Sequence, residues 1–389
     1  MPPVHILHLH SSFNLGGKEA RAVRLMNLFG DTARHTIVSG VPDQLGAREQ
    51  IAPGIRYEIA QDPPPLTGAP SVARYEAIAR YMRRFDLVLT YNWGAIDGVM
   101  ARRVFGASKK GGGLPPLIHH EDGFNADEAK GLKVERNVYR RIALGAAQAL
   151  VVPSRTLEDI ALGTWKQPRS RVHRIVNGIP LARYAAAPDK RAIPGFRKRA
   201  GDIVIGTIAG LREVKDLPRL VRAVGGLSKP VQLVIVGEGT ERAAILQAAQ
   251  GMGIADRVHL PGFLPDPARF IGLFDIFALS SRSEQFPISV VEAMAAGLPI
   301  AAPAVGDIAD MVSDANRPLI HPTNVLSPEV ELRNVLDALI ASPDGRRQLG
   351  DANRAKALEL YDEPAMAAAY AALYGGAIGR PDAFTKVLR

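Results

Sequence analysis

The chain has 389 residues, of which 47% are hydrophobic and 22% charged, so it is long enough for two ordinary domains with sizeable cores. It contains no cysteine, which excludes a disulfide scaffold, thiolate metal sites and a cysteine nucleophile. The net charge of +9 is uneven, because residues 1–189 hold 25 basic and 17 acidic side chains while the rest is almost neutral. The basic half therefore faces an anionic partner, such as a membrane or a phosphate-bearing lipid, or carries a solvated basic surface. Its basic clusters RYMRRF, ARR and SKK show no aromatic stacking ladder, which disfavours nucleic acid as the partner.

The N-terminal segment MPPVHILHLH lacks a basic region followed by an apolar one, so no signal peptide is predicted. The longest nearly apolar run, residues 142–152, is too short to span a bilayer. We therefore expect a cytoplasmic protein that is either soluble or attached peripherally to the inner face of the membrane.

Short apolar runs rich in Val, Ile and Leu alternate with helical patterns along the chain. Predicted strands lie at 4–10, 35–40, 86–91, 116–120 and 149–154, and again at 203–209, 232–237, 257–262, 276–281 and 299–304. Continuous apolar strands joined by helices are typical of parallel sheets covered on both faces. Because the set occurs twice, the sequence predicts an α/β fold of two doubly wound, Rossmann-like domains, separated in the Pro- and Gly-rich stretch 177–195.

Several polar residues follow the predicted strands, where parallel sheets bind their ligands. Gly16 and Gly17 come after the first strand and enter a helix, whose N-terminus can bind an anion; the alternative is an ordinary turn. Lys215 follows the strand at 203–209 and could meet a phosphate; the alternative is a solvated lysine. Gly237 opens a Gly-x-Gly pair, but Arg242 stands where the dinucleotide-binding pattern requires a third glycine, so a nicotinamide cofactor is weakly supported.

The segment EQFPISVVE, residues 284–292, places two carboxylates eight positions apart. Glu292 lies in an apolar helix and needs a partner, since burying a lone carboxylate costs several kcal/mol. Glu284 lies in the loop just before that helix, and Pro287 suits its first turn. Sugars and riboses offer paired hydroxyls that donate to carboxylates, so the segment fits such a ligand. The alternative is a structural Glu292 paired with an arginine, and a solvent-facing Glu284.

The positions of the histidines and the absence of two motifs narrow the classes of function that the sequence allows. His8 and His10 share one face of the first strand, where core positions are favoured over a metal site. The segment HHEDGF, residues 119–124, ends a strand with four titratable side chains, which indicates a functional site. The chain has no Asp-x-Asp, which disfavours a metal-dependent nucleotide-sugar enzyme, and no Gly-x-Ser-x-Gly, which disfavours an α/β-hydrolase.

The sequence resembles the retaining nucleotide-sugar glycosyltransferases of family 4, which have the GT-B fold. The resemblance is carried by NLGGKEARAVRLMN, HHEDG, VVPSRTLEDIA, RVHRIVNGIPLARY, IGTIAGLREVKDLPRLVRAV, LVIVGEGTERAAI, RVHLPGF and SEQFPISVVEAMAAGLPIAAPAVGDIADMV. The Glu-x7-Glu segment followed by Ala-Met-Ala-x-Gly is the most specific of these. The resemblance implies two facing domains with a cleft between them: an acceptor-binding domain at 1–180, on which a C-terminal helix at 365–389 packs, and a nucleotide-sugar-binding domain at 181–364.

The resemblance also implies residue roles on the donor side. Glu292 would bind the ribose hydroxyls and Glu284 the hydroxyls of the donor sugar. Lys215 would neutralise the diphosphate, and Gly16 and Gly17 would let the backbone approach it. The other implied donor-binding residues are Gly237, Leu260 beside the base, and Phe286, Pro287, Ile288 and Ser289 at the helix start, where backbone amides would hold the diphosphate.

Two departures from the family pattern leave alternatives open. The arginine that many members carry five residues before the lysine is Gly210 here, and Arg212 is the candidate replacement. A histidine common in the family is replaced by Asp122, so either Asp122 or His120 would orient or deprotonate the acceptor. A strong base is not required, since the leaving phosphate of a retaining transfer can accept the proton.

The resemblance thus implies a metal-independent, retaining glycosyltransferase without a cofactor. It would move a hexosyl group from a nucleoside diphosphate sugar, with UDP favoured, to a hydroxyl acceptor. The basic first half suggests an acceptor that is lipid-linked or part of polysaccharide or glycolipid assembly. The catalytic candidates are Asp122, His120, Glu284 and Lys215. Two other functions stay open: a GT-B sugar-nucleotide epimerase and a non-catalytic protein that binds sugar nucleotides.

Overall fold

A computed structural model of the chain describes residues 2–106, 113–124, 128 and 131–384. The basic segment SKK at 108–110 lies outside these residues, as does the stretch 385–389 of the predicted C-terminal helix. The chain forms two compact units, one made of Met1–Asn177 with Pro364–Arg389 and the other of Gly178–Glu363. In the part of the chain that the structure describes, no helix is long and apolar enough to cross a membrane.

The first unit is built on a parallel sheet of seven strands. They are β1 (Val4–His10), β2 (Ala33–Ser39), β3 (Tyr57–Ile59), β4 (Leu87–Tyr91), β5 (Leu117–His120), β6 (Ala149–Val152) and β7 (Val172–Arg174). Their order in the sheet is β3-β2-β1-β4-β5-β6-β7. The order reverses between β1 and β4, so the loops after these two strands lie at the topological switch point, where such sheets bind ligands.

Five helices connect these strands, namely α1 (Gly17–Phe29), α2 (Val72–Met82), α3 (Ile96–Phe105), α4 (Val134–Leu144) and α5 (Arg155–Gly163). Ser71 and Ser154 cap α2 and α5, because each hydroxyl accepts a hydrogen bond from the backbone N–H three residues on. Helices α2 to α5 share one apolar core, while α1 packs into the core on the other face.

The second unit is built on a parallel sheet of six strands. They are β8 (Val204–Ile208), β9 (Gln232–Val236), β10 (Val258–Gly262), β11 (Ile276–Ala278), β12 (Ile300–Pro303) and β13 (Ile320–His321). Their order is β10-β9-β8-β11-β12-β13, which reverses between β8 and β11. The switch point of this sheet therefore lies between the loops that follow β8 and β11.

The helices of the second unit are α6 (Leu217–Gly225), α7 (Arg242–Gly251), α8 (Ile288–Ala295), α9 (Ile308–Met311), α10 (Pro328–Ala341) and α11 (Pro343–Leu360). Side chains of α6, α7 and α10 form one core with the sheet. Helix α8 is buried along most of its length, as expected for a short helix that is apolar nearly all round.

The last helix, α12 (Glu363–Ala377), packs into the core of the first unit through Met366, Tyr370 and Tyr374. It is shorter than the predicted 365–389, because Pro381 cannot continue a helix. Phe384, beyond the helix, packs its ring 4.7 Å from that of Phe29. The predicted α/β class with two Rossmann-like sheets is confirmed.

Candidate functional site

The loops after β8 and β11 are joined by an ion pair at the switch point of the second sheet. Lys215 Nζ donates to Glu284 Oε1 at 2.5 Å, and Ser281 Oγ donates to the same oxygen at 2.8 Å. The two charged side chains are only 15% and 9% exposed. The structure thus brings two of the predicted site residues together and places neither of them in open solvent.

Hydrogen bonds between the two loops fix the position of Lys215. Asp216 adopts the left-handed conformation with φ 45°, directly after Lys215. Ser280 Oγ donates to the carbonyl oxygens of Lys215 and Asp216 at 3.0 and 2.9 Å, and Arg282 Nε donates to Asp216 Oδ2 at 2.9 Å. The ammonium is therefore held at the sheet edge by its own backbone, as a preorganised cation should be.

The loop after β12 supports Glu284 from the other side. Gly306 has a φ of 56°, and a Cβ there would lie 2.4 Å from the carbonyl oxygen of Glu284. Only glycine fits both the conformation and the space. The backbone N–H of Asp307 donates to the carbonyl of Gln285 at 3.0 Å. Sequence reasoning missed Gly306, although its position just after a predicted strand was a usable signal.

Helix α8 starts one residue later than expected, since Pro287 is its N-cap with ψ 113° and does not lie in the first turn. The first N–H groups of a helix have no acceptor within it, so those of Ile288 and Ser289 are available at its N-terminus. Both residues are half-buried, whereas Phe286 is buried with its ring 5.5 Å from that of Tyr361. Because α8 follows a parallel strand, this N-terminus lies at the same sheet edge as Lys215 and Glu284.

Glu292 is 9% exposed and faces Tyr184, whose hydroxyl donates to Oε1 at 3.1 Å. The buried carboxylate of Glu292 needs a hydrogen-bond partner, and for Oε1 this partner is the hydroxyl of Tyr184. Sequence reasoning missed Tyr184, which comes from a short turn 108 positions earlier in the chain. The hydroxyl of Tyr184 fixes the orientation of the carboxylate.

The remaining donor-side residues differ in what surrounds them. Gly237 has a φ of 145°, and a Cβ there would lie 1.9 Å from the carbonyl oxygen of Ala209, so strand packing alone requires glycine. Leu260 is half-buried and packs against the core. Arg212 is exposed, and its Nε lies 3.5 Å from the position a Cβ of Gly210 would take. The guanidinium of Arg212 therefore covers the place where the family arginine would start.

In the first unit, Asp122 follows β5 and is paired with Arg21 of α1. Both terminal nitrogens of Arg21 bind the carboxylate, with Nη2 donating to Oδ2 at 2.8 Å. Arg21 Nη1 also donates to Asn177 Oδ1 at 3.1 Å, and the backbone N–H of Asp122 donates to Asn92 Oδ1 at 2.7 Å. Burial opposes the charge of Arg21, but the carboxylate of Asp122 raises its pKa. Arg21, Asn92 and Asn177 were missed, because only the folded chain brings them together.

His120 is fully buried, unlike Asp122, whose side chain is 12% exposed. Nδ1 of His120 donates to the carbonyl oxygen of Thr90 at 3.3 Å. Nε2 of His120 therefore accepts from the hydroxyl of Tyr374 at 2.8 Å. Burial lowers the pKa of His120 well below its usual value. These contacts favour Asp122 over His120 as the group that would meet an acceptor, and the role itself stays a prediction.

The glycine turn before α1 is covered by a side chain of the helix itself. Gly16 is the N-cap, and a Cβ there would lie 2.8 Å from Oε2 of Glu19. Glu19 is buried and paired with Lys18, and burial raises its pKa. The carboxyl group of Glu19 therefore lies against Gly16, where the sequence predicts a phosphate.

His8 and His10 lie in the core of the first unit. His8 Nε2 is 2.9 Å from His35 Nδ1, and the ring of His10 stacks 4.1 Å from that of Tyr91. Among the described residues, no group of three His, Cys, Asp or Glu side chains is placed to hold a metal ion.

Two doubly wound parallel sheets in one chain, each with charged side chains at its switch point, define a protein of the GT-B fold. HepE of Anabaena, solved in complex with UDP, superposes with a TM-score of 0.74 at 19% identity, over 96% of this chain and 100% of that chain. Sucrose-phosphate synthase of Thermosynechococcus elongatus gives 0.75 at 19% identity, over 96% and 99%. These similarities show the fold.

Residues 189–356 match the sequence model of the family "Glycosyl transferases group 1". The MMP alpha-(1->4)-mannosyltransferase of Mycolicibacterium hassiacum is 27% identical over 62% of this chain and 57% of its own. The GDP-mannose-dependent alpha-mannosyltransferase of Mycobacterium tuberculosis is 28% identical over 54% and 51%. The chain spans about half the length of these curated relatives. The resemblance to GT-B glycosyltransferases is thereby confirmed.

Proposed function

We propose that this protein is a retaining, metal-independent glycosyltransferase that moves a hexosyl group from a nucleoside diphosphate sugar to a hydroxyl acceptor. The observation that carries the proposal is the pair of Lys215 and Glu284 at the switch point of the second sheet, beside the N-terminus of α8. A cation, a helix N-terminus and a carboxylate in one place match a diphosphate joined to a sugar.

The pair can exchange its partners when a donor binds. Without ligand, the ammonium of Lys215 and the carboxylate of Glu284 satisfy each other. With a nucleotide sugar, the ammonium would turn to the diphosphate and the carboxylate would accept from sugar hydroxyls. As the bond to the sugar breaks, negative charge grows on the leaving diphosphate, and Lys215 together with the amides of Ile288 and Ser289 would stabilise it. The leaving phosphate would take the proton of the acceptor hydroxyl.

Glu292 would bind the ribose hydroxyls from within α8, held in place by Tyr184. A UDP-sugar is the favoured donor, and no cofactor is needed for this chemistry. The UDP complex of HepE supports this choice, while the relative named as GDP-mannose-dependent supports GDP. A thermal-shift screen over UDP-, GDP- and ADP-sugars decides between the bases, since a bound ligand raises the melting temperature.

On the acceptor side, Asp122 would orient the attacking hydroxyl. Both of its oxygens are held by Arg21, which fixes the orientation of the carboxylate. This geometry suits an orienting group better than a strong base. The basic first half supports a lipid-linked acceptor at a membrane surface, as in polysaccharide or glycolipid assembly.

The two other functions are not favoured, because the relatives named above are mannosyltransferases. An epimerase would convert a UDP-sugar with no acceptor present, and a non-catalytic protein would bind the donor without releasing UDP. Product analysis of the donor after incubation, with and without acceptor, separates the three.

We expect Glu292→Ala to weaken binding of the nucleoside diphosphate by about 10- to 100-fold, since each lost charge-assisted hydrogen bond is worth about 1.5–3 kcal/mol. Tyr184→Phe should weaken binding less, because it removes only the group that orients the carboxylate. Isothermal titration calorimetry measures both. Glu359→Ala, an exposed glutamate of the same unit, serves as control and should bind like the wild type. Unchanged affinity of Glu292→Ala would refute the ribose contact.

Glu284→Gln should reduce turnover of the nucleotide sugar by about 10²-fold, because a neutral amide accepts sugar hydroxyls more weakly than a carboxylate. Affinity for the nucleoside diphosphate alone should change by less than about threefold, since that molecule lacks the hexosyl group that Glu284 would contact. Turnover is followed by UDP release, and affinity by calorimetry. Equal losses in both measurements would count against the sugar contact.

A further inference from the structure

Helix α4 exposes an apolar stripe to solvent. Val134, Val138 and Ile142 are 72%, 53% and 49% exposed, and their spacing of four places them on one side of the helix. The opposite side of the helix is buried through Arg140, Ala143 and Leu144. The helix is therefore anchored on its inner face and carries three β-branched apolar side chains on its outer face.

The end of α3 extends this stripe and adds positive charge. Val104 of α3 is 48% exposed, and Nη1 of Arg103 lies 3.8 Å from the position a Cβ of Gly145 would take, just after α4. Exposed cations therefore flank the apolar residues, and Glu135 is the one acidic side chain of α4. We call this the α3–α4 surface; it consists of Arg103, Val104, Lys133, Val134, Val138, Arg141 and Ile142.

We propose that the α3–α4 surface docks on the surface of an anionic lipid bilayer. Apolar side chains at helical spacing, flanked by lysine and arginine, are what helices present when they lie in a membrane interface. Each cation near an anionic leaflet contributes about 1 kcal/mol, and the charge of this half of the chain has the matching sign. A second copy of this chain could cover the same apolar residues, but it would bring its own Arg103, Lys133 and Arg141 against those of the first copy, and like charges repel.

The α3–α4 surface begins near the predicted acceptor residue Asp122. Strand β5 ends at His120 and α4 begins at Val134, so the stripe starts at the sheet edge that carries Asp122. A lipid whose headgroup stays at the bilayer surface would thus reach the acceptor side of the first unit. Docking on a bilayer needs no sugar nucleotide and does not depend on the proposed function. Only the delivery of a lipid-linked acceptor to Asp122 rests on that function.

The test is sedimentation of the full chain with vesicles of phosphatidylcholine containing about 30% phosphatidylglycerol, at low salt. The wild type should sediment with these vesicles and be released as salt rises, and it should not sediment with phosphatidylcholine alone. The double variant Val138→Asp/Ile142→Asp should lose binding about tenfold or more, since two apolar contacts are replaced by repelled charges. Leu358→Asp, at a leucine of α11 that is 55% exposed, should bind like the wild type.

A second variant and a second measurement keep the outcome decisive. Arg103→Glu/Arg141→Glu changes only exposed groups and should lose binding at low salt without a shift in melting temperature. Equal sedimentation of the wild type and both double variants would overturn the inference. So would a wild-type dimer that these substitutions convert to a monomer, because a second copy would then occupy the surface. A thermal-shift screen over UDP-, GDP- and ADP-sugars is run in parallel: vesicle binding without binding of any of these sugar nucleotides defeats the proposed function and leaves this inference standing.

Discussion

Lys215→Ala is expected to lower kcat/KM for sugar transfer by about 10²- to 10³-fold, the cost of removing one preorganised group that stabilises transition-state charge. Lys215 lies at the switch point, held there by the hydroxyl of Ser280, whose proton is shared between the carbonyl oxygens of Lys215 and Asp216. When the donor binds, its ammonium would exchange the carboxylate of Glu284 for the leaving diphosphate. UDP release from the best donor, with and without acceptor, measures the loss.

Two further variants define what the lysine contributes. Lys215→Arg keeps the positive charge but replaces a compact ammonium with a planar guanidinium, so we expect a kcat/KM between those of Lys215→Ala and the wild type. Lys229→Ala removes an exposed lysine of the same unit and should keep wild-type turnover. Wild-type turnover in Lys215→Ala would rule out the proposed role, and a large fall in melting temperature would instead assign the residue to folding.

That Lys215 and Glu284 lie close together could be predicted, because strand ends are visible in a sequence. The apolar runs that became β8 and β11 are continuous, and a parallel sheet places the residues after them at one edge. Lys215 and Glu284 could therefore be expected at the same edge. That they bond to each other, with Ser281 as a third member, depends on side-chain directions that no spacing reveals.

All ten predicted strands form, whereas β3, β7 and β13 were missed. These three strands have two or three residues each and lie at sheet edges. Strands of two or three residues are too short to show the continuous apolar run that marks a central strand. The missed elements do not carry the residues predicted to bind the donor.

Partners distant in sequence were beyond prediction for a related reason. Tyr184 reaches Glu292 across 108 positions, and Arg21 reaches Asp122 across 101. Burial of Glu292 showed that a partner must exist, because a lone buried carboxylate is too costly. Which residue supplies the hydrogen bond is decided by tertiary packing alone.

Acidification from pH 7 to pH 5 is expected to destabilise the first unit by several kcal/mol through its buried histidines. Burial lowers the pKa values of His8, His10, His35 and His120, with that of His35 falling to about 3. Lys18 and Arg21 further disfavour a charged His10. In the unfolded chain these histidines titrate near their ordinary pKa of about 6.5. Below that pH the histidines of the unfolded chain bind protons, whereas the buried histidines of the folded chain stay neutral. The free energy of unfolding therefore falls as pH falls.

Each such histidine contributes a slope of up to about 1.4 kcal/mol per pH unit below pH 6.5, and the stability is fully present above it. Trp93 and Trp165 are the two tryptophans of the chain and both belong to the first unit, so their fluorescence during urea unfolding reports on it. His35→Gln should reduce the pH slope between 7 and 5 by about one histidine's share. His259→Gln, in the second unit, is the control and should leave the slope unchanged. A free energy of unfolding that stays flat from pH 7 to pH 5 would contradict the buried, neutral state of these histidines.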